Sequence, residues 1–116
     1  MSIVANVLVL FVALLHLLFL VLEMFLWTKP FGRRTFGLTQ ELADASAKLA
    51  ANQGLYNGFL AAGLIWGVAA NLFPVKVFFL VCVIVAGVFG AFTAKRSILF
   101  VQALPGALAL AAVWLS

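Results

Sequence analysis

The run Ile3–Leu22, IVANVLVLFVALLHLLFLVL, decides the fold, since it holds twenty residues without one charged side chain. A helix rises about 1.5 Å per residue and needs about 20 mostly apolar residues to cross the hydrocarbon core of a bilayer. The run lacks the basic start of a signal peptide and exceeds the usual length of its apolar core. We therefore expect a retained membrane span over about residues 3–27.

Three further uncharged windows follow along the chain, at residues 49–75, 77–94 and 97–116. Each window is long enough for one span, allowing for tilt and short flanks. The sequence therefore predicts an all-α, polytopic membrane protein, a single four-helix transmembrane domain over residues 1–116. The later spans are expected at about 52–71, 75–94 and 97–114, with a cytoplasmic helical extension at about 39–51.

Composition supports the same class and argues against others. Apolar residues make up 67% of the chain and charged residues 9%, whereas a soluble domain is about half apolar and a quarter charged. A soluble enzyme and a disordered chain are therefore excluded. The net charge of +4 forms no basic face with groove-reading elements, so we expect no nucleic-acid partner, and the lipid bilayer is the expected partner. One histidine and one cysteine are too few for a zinc site, and no metal or cofactor is expected.

Basic residues near the span ends predict the orientation, because such residues stay on the cytoplasmic side. One of them, Lys76, lies between the second and third spans. Six lie in the first loop and the last turn: Lys29, Arg33, Arg34, Lys48, Lys95 and Arg96. We therefore expect both termini outside, in the plasma (inner) membrane of a bacterium.

Glu23 is the one acidic residue inside a predicted span. It follows His16 by seven residues, so the two side chains share a helix face. A buried carboxylate is costly unless it is paired. Glu23 is therefore expected either to pair with a basic side chain or to act as a proton carrier or general acid/base, with a proton relay through His16 as an open alternative.

Polar residues of several spans fall at one depth, in the cytoplasmic half of the predicted bundle. We predict a polar pocket there that binds a small amphipathic or lipid-like ligand, with Glu23 and Tyr56 as candidate catalytic groups. The other candidate ligand-binding residues are His16, Asn52, Gln53, Asn57 and Gln102. The alternative is that these side chains only join helices by hydrogen bonds.

Small residues recur at helical spacing in the second and third predicted spans. Gly54 and Gly58 are four apart, as are Gly87 and Ala91. Helices in lipid associate by close packing, so small residues mark contact faces. The pattern leaves two alternatives open, packing inside the bundle or contacts in a homo-oligomer such as a dimer or trimer.

Several functions are compatible with such a site. The first is binding of a small amphipathic ligand. The second is a membrane enzyme, of isomerase, epimerase or transferase type, in which Glu23 moves a proton and Tyr56 polarises a ligand oxygen. A proton-coupled small transporter and a structural assembly subunit are further alternatives.

Three stretches carry a family resemblance: HLLFLVLEMFLW at 16–27, NQGLYNGF at 52–59 and VQALPG at 101–106. They resemble the family of small bacterial four-span proteins called domain of unknown function thirteen-zero-four. Members are sometimes loosely labelled epimerases. The resemblance implies the four-span fold and the polar residues as a signature, but no activity.

The chain also resembles, more distantly, the membrane-associated eicosanoid and glutathione superfamily. That group has four spans, outward termini and a cytoplasmic extension of its second span, and usually forms trimers. Its motif Arg-x-x-x-Asn-x-x-Glu is matched in spacing by Lys48 and Asn52, but Leu55 stands at the glutamate position. The resemblance thus implies the architecture without glutathione binding. Small multidrug transporters also carry a glutamate in span one, but the long first loop and the charge bias argue against that group.

Overall fold

The computed structural model describes residues 2–116, and this part of the chain is helical, with turns between the helices and no strand. The predicted all-α class is confirmed for these residues. In chain order the elements are α1 (Ile3–Met24), α2 (Pro30–Phe36), α3 (Gln40–Ala69), α4 (Phe73–Thr93), a π-helical turn (Leu99–Ala103) and α5 (Leu104–Leu115).

Two helices, α1 and α4, are long and apolar enough to cross a membrane. They have 22 and 21 residues and mean hydropathies of 2.8 and 2.6. Only 28% and 22% of their most apolar windows are buried inside the protein. A third apolar stretch, Leu99–Leu115, is shorter.

The bounds of α3 follow from its end residues. The Thr39 hydroxyl accepts a hydrogen bond from the backbone N–H of Leu42 at 3.1 Å, so Thr39 caps the start of the helix. No proline interrupts the helix, so it continues for 30 residues. The helix ends at Ala69, and two residues later Asn71 has a left-handed φ of 52°, while the Leu72 N–H bonds the Gly67 carbonyl. This arrangement satisfies carbonyls that the helix end would leave unpaired.

A short helix, α2, forms between the first predicted span and the predicted cytoplasmic extension, where the sequence predicted no helix. Pro30 stands in its first turn, where its missing N–H costs nothing and its fixed φ suits a helix. Gly37 ends the helix with a φ of 66° and donates its N–H to the Arg33 carbonyl. Pro30 therefore starts a new helix after a five-residue turn that follows the end of α1 at Met24.

A π-helical turn precedes α5, within the stretch predicted as one regular span. The Leu104 N–H reaches back five residues to the Leu99 carbonyl. The wide turn lies next to Pro105, which has no N–H to donate. Gly87 of α4 lies so close that a Cβ there would come within 2.6 Å of the Ala103 nitrogen, so this packing requires glycine.

The described chain divides into two compact units. The second unit is His16–Phe59, and the first comprises the residues up to Leu15 together with Leu60–Ser116. The first unit has a buried apolar core made by Ala5, Val9, Val12, Ala13, Ala61, Leu64, Leu80, Val83, Ala109 and Val113.

Lys76 is fully buried in the first unit, in the first turn of α4, rather than exposed in a turn between spans. Its ammonium donates hydrogen bonds to Asn6 Oδ1 at 2.9 Å and to Asn71 Oδ1 at 3.4 Å. A Cβ at Gly67 would lie 2.8 Å from Lys76 Cγ, so the glycine leaves room for the lysine stem. The two amide oxygens offset the cost of removing the charge from water.

Candidate functional site

A hydrogen bond between Glu23 and Asn57 forms the centre of the candidate site in the second unit. The Asn57 amide Nδ2 donates to Glu23 Oε1 at 2.5 Å. Asn57 is buried and Glu23 is half-buried. Sequence reasoning placed both residues at one depth, and the structure brings them into direct contact.

Glycines bring α1 and α3 close together around this pair. Gly54 is buried, and a Cβ there would lie 2.6 Å from Met24 Cγ and 3.2 Å from the Leu20 carbonyl oxygen. A Cβ at Gly58 would lie 2.8 Å from Leu20 Cδ1. At these two positions the small residues therefore serve packing within the chain. Their size lets the Glu23 side chain reach the amide of Asn57.

The other polar residues on these turns of α3 are exposed. Asn52, Gln53 and Tyr56 all present their side chains outward, and the Tyr56 ring lies 6.0 Å from that of Phe59. Asn52 and Tyr56 are four residues apart and share a face, whereas Asn57 belongs to the buried face. The structure does not bring Asn52 or Tyr56 to Glu23. Gln53 lies one turn before Asn57, at the edge between the two faces.

His16 is completely buried. Its ring makes an edge-to-face contact with Phe19, with centroids 5.2 Å apart. Seven residues of helix separate His16 from Glu23, which is about 10 Å along the axis. That distance is too long for a direct hydrogen bond between the two side chains.

Gln102 belongs to the first unit, where it lies half-buried in the π-helical turn. Two connected apolar grooves also occupy the first unit, with volumes of about 430 and 260 Å³. Ile84 and Ala107 line both of them.

One contact near the site was not expected from the sequence. The Trp27 indole donates to the Ser46 hydroxyl at 3.0 Å, and that hydroxyl donates to the Leu42 carbonyl at 2.7 Å. The Trp27 ring also lies 4.9 Å from that of Phe36. These contacts tie the chain after α1 to α3. Ser46 lies four residues before Ala50, which belongs to the buried face of α3. This spacing was the sequence signal that could have predicted a contact at Ser46.

The Glu23 carboxyl has chemical capacity beyond its bond to Asn57. A carboxylate offers about four lone-pair positions, and one amide donor occupies one of them. The group can therefore accept from, or when protonated donate to, a hydroxyl or amine of a ligand. Among residues 2–116, no group of three or more histidine, cysteine or acidic side chains is arranged to hold a metal ion.

Comparison with known proteins identifies the family of this chain. The family model described as "Protein of unknown function (DUF1304)" matches residues 10–114. The chain belongs to this family. The DUF1304 match covers both partners of the Glu23–Asn57 pair, and it confirms the family resemblance that the three quoted stretches carry.

A curated relative is similar over most of its length. It is the uncharacterized protein YpaA of Lactococcus lactis subsp. lactis (strain IL1403), 31% identical over 107 residues. The match covers 88% of this chain and 89% of the relative. No solved structure matches the chain significantly.

Proposed function

We propose that this DUF1304 protein is a four-span integral protein of the bacterial plasma (inner) membrane, with both termini outside. The exposed apolar surface of α1 and α4 supports this, since Phe11 and Phe89 are 49% and 66% exposed. Large exposed apolar surfaces mark contact with lipid or with other proteins. The second half of α3 and the stretch Leu99–Leu115 supply the remaining spans. The six-to-one distribution of basic residues supports the orientation.

The function we propose is binding of a small amphipathic ligand at the Glu23–Asn57 pair. This proposal rests on the hydrogen bond between the carboxyl of Glu23, which lies in a proposed span, and the buried amide of Asn57, with exposed polar side chains on the same turns of α3. Ionisable residues inside spans are costly and usually functional. The ligand headgroup would bond Glu23 and Gln53, and its apolar part would lie along the helices.

The exposed side chains favour a ligand over simple helix joining. A residue that joins helices has its partner within the protein, as Asn57 has Glu23. Asn52, Gln53 and Tyr56 are exposed instead. In lipid, an exposed amide or phenol without a partner carries a free-energy penalty. A polar headgroup at this level of the membrane would remove that penalty.

The test uses the full chain purified in a mild detergent, followed by extraction and mass spectrometry of the amphiphiles that co-purify. We expect one class of amphiphile with the wild type and a loss of at least fivefold in Glu23→Ala and Gln53→Leu. The matched control is Gln40→Ala, which changes an exposed residue outside the proposed spans. Equal amphiphile content in all four proteins would contradict ligand binding.

A photo-cross-linking amino acid at position 56 separates the ligand from a second copy of the chain. Cross-links to lipid-sized molecules support the proposal. Cross-links that yield a covalent dimer instead favour the assembly-subunit alternative, in which the polar residues of α3 meet another copy.

Acid–base catalysis and proton-coupled transport both need Glu23 to exchange a proton. Glu23→Gln keeps the size of the side chain but removes this exchange. If the amphiphile still co-purifies with the variant while its chemical conversion stops, the protein is an enzyme. If a proton-dependent flux of the amphiphile through proteoliposomes stops instead, it is a transporter.

A further inference from the structure

The two sides of α2 differ sharply in what they contact. On the inner side, Gly32 is buried against the Leu26 backbone, and Phe36 packs on the Trp27 ring. On the outer side, basic and aromatic side chains are exposed. We call this outer side the α2 surface, and it consists of Lys29, Phe31 and Arg34.

The stretch that holds the α2 surface carries positive charge and no acidic residue. Residues 28–38 include three basic side chains and no acidic one. The three acidic residues of the chain lie elsewhere: Glu23 is bonded by Asn57, Asp44 by Gln40, and Glu41 stands in the first turn of α3. The surface is therefore complementary to an anionic partner.

Local bonds hold the α2 surface in a defined geometry. Arg33 Nε donates to the Thr28 carbonyl at 3.2 Å, which ties α2 to the preceding turn. The Thr35 hydroxyl donates to the Phe31 carbonyl at 2.7 Å. Phe31 and Arg34 are three residues apart and therefore neighbours on one face. The aromatic ring and the Arg34 guanidinium are thus presented together, and Lys29 is exposed at the residue that caps the start of the helix.

The aromatic ring decides between classes of anionic partner. Phe31 is 59% exposed, one helical turn from the exposed Arg34. At a membrane surface such a ring enters the boundary between headgroups and acyl chains, while lysine and arginine side chains bind phosphates. An acidic peptide or a free phosphate would leave the ring in water.

We propose that the α2 surface binds the headgroups of anionic phospholipids. This site is separate from the ligand site at Glu23, and it recognises the bilayer itself. Each cation near an anionic membrane surface is expected to strengthen binding about fivefold. The surface would fix the depth of α2 and so stabilise the connection between α1 and α3.

The test measures binding of dioleoyl phosphatidylglycerol, with dioleoyl phosphatidylcholine as the neutral probe, to the full chain in detergent by native mass spectrometry. For Lys29→Gln/Arg34→Gln we expect the apparent dissociation constant for phosphatidylglycerol to rise tenfold or more. For Phe31→Ser we expect a rise of about threefold. Binding of phosphatidylcholine should change in neither.

A matched control removes the same charge elsewhere on the chain. Lys48→Gln/Lys95→Gln also loses two exposed cations and should bind phosphatidylglycerol like the wild type. If this control weakens binding as much as the α2 variant, net charge alone is responsible and the proposal is overturned. Equal binding of both lipids to the wild type would also overturn it.

Further variants keep the test decisive if the glutamine variant fails to fold. Lys29→Arg/Arg34→Lys keeps both charges and should bind phosphatidylglycerol like the wild type, whereas loss of binding there would contradict a headgroup site. Inorganic phosphate at the same concentration should not compete, and competition would assign the site to free phosphate. Glu23→Gln should bind phosphatidylglycerol like the wild type. The test therefore separates failure of the headgroup site on α2 from failure of the ligand site at Glu23.

Discussion

The ammonium of Lys76 lies 2.9 Å from the amide oxygen of Asn6, a residue 70 positions earlier in the chain. Lys76 is completely buried, and its second partner is also an amide, that of Asn71. A buried cation therefore depends on neutral oxygen acceptors that come from α1 and from the end of α3. Within the first unit this bond couples the start of α4 to α1.

The first prediction concerns this bond. Asn6→Leu removes an acceptor from a buried ammonium, and we expect the free energy of unfolding to fall by about 2 kcal/mol. The double variant Asn6→Leu/Lys76→Met removes the charge as well, while methionine keeps most of the stem beside Gly67. The double variant should therefore recover at least half of that loss, measured by reversible unfolding in mixed detergent micelles.

The comparison is a double-mutant cycle that includes Lys76→Met alone. Strictly additive effects of the two substitutions would show that the ammonium and the amide do not interact energetically.

The second prediction concerns the close approach of α1 and α3 beside Glu23. Gly54→Val places carbon against Met24 and against the backbone carbonyl of Leu20, and the backbone cannot rotate away. We expect a loss of about 2 kcal/mol in unfolding free energy from overpacking. Gly58→Ala is the matched control, because it meets only the end of the flexible Leu20 side chain. A larger loss for the alanine variant would contradict the packing described.

The third prediction concerns the indole of Trp27. Trp27→Phe keeps an aromatic ring beside Phe36 but removes the N–H that bonds Ser46. We expect a loss of about 1 kcal/mol, the usual net value of such a bond, seen as a lower thermal midpoint. Trp66→Phe, at a 55% exposed tryptophan, should leave the midpoint unchanged. Equal midpoints for the two variants would show that the Trp27–Ser46 bond does not contribute to stability.

The regular helices were predictable because their signals are local. The uncharged runs at 3–22 and 77–94 predicted helices, and α1 and α4 form there. The short helix α2 was not predicted, although a proline such as Pro30 suits the first turn of a helix. The π-helical turn had no signal beyond the neighbouring Pro105.

The candidate site was only partly predictable, because the order of residues in spans gives depth but not direction around the helix axis. The sequence predicted Glu23 and Asn57 at one depth. In the structure they are in contact because Gly54 allows α1 and α3 to pack closely. Tyr56 shares that depth but is exposed on another face. Lys76 was assigned to a turn by its charge, since the sequence does not reveal that the amide oxygens of Asn6 and Asn71 accept hydrogen bonds from its ammonium.

The π-helical turn Leu99–Ala103 has a consequence for how this chain tolerates changes in length. A wide turn of this kind holds one residue more than the α-helical turn it replaces. The extra residue is absorbed within the turn, so the face that α5 presents through Gly106 and Ala109 keeps its register with α4. A one-residue deletion confined to this turn would convert it to ordinary helix and leave that register intact. The same deletion inside α5 would rotate every following side chain by about 100°.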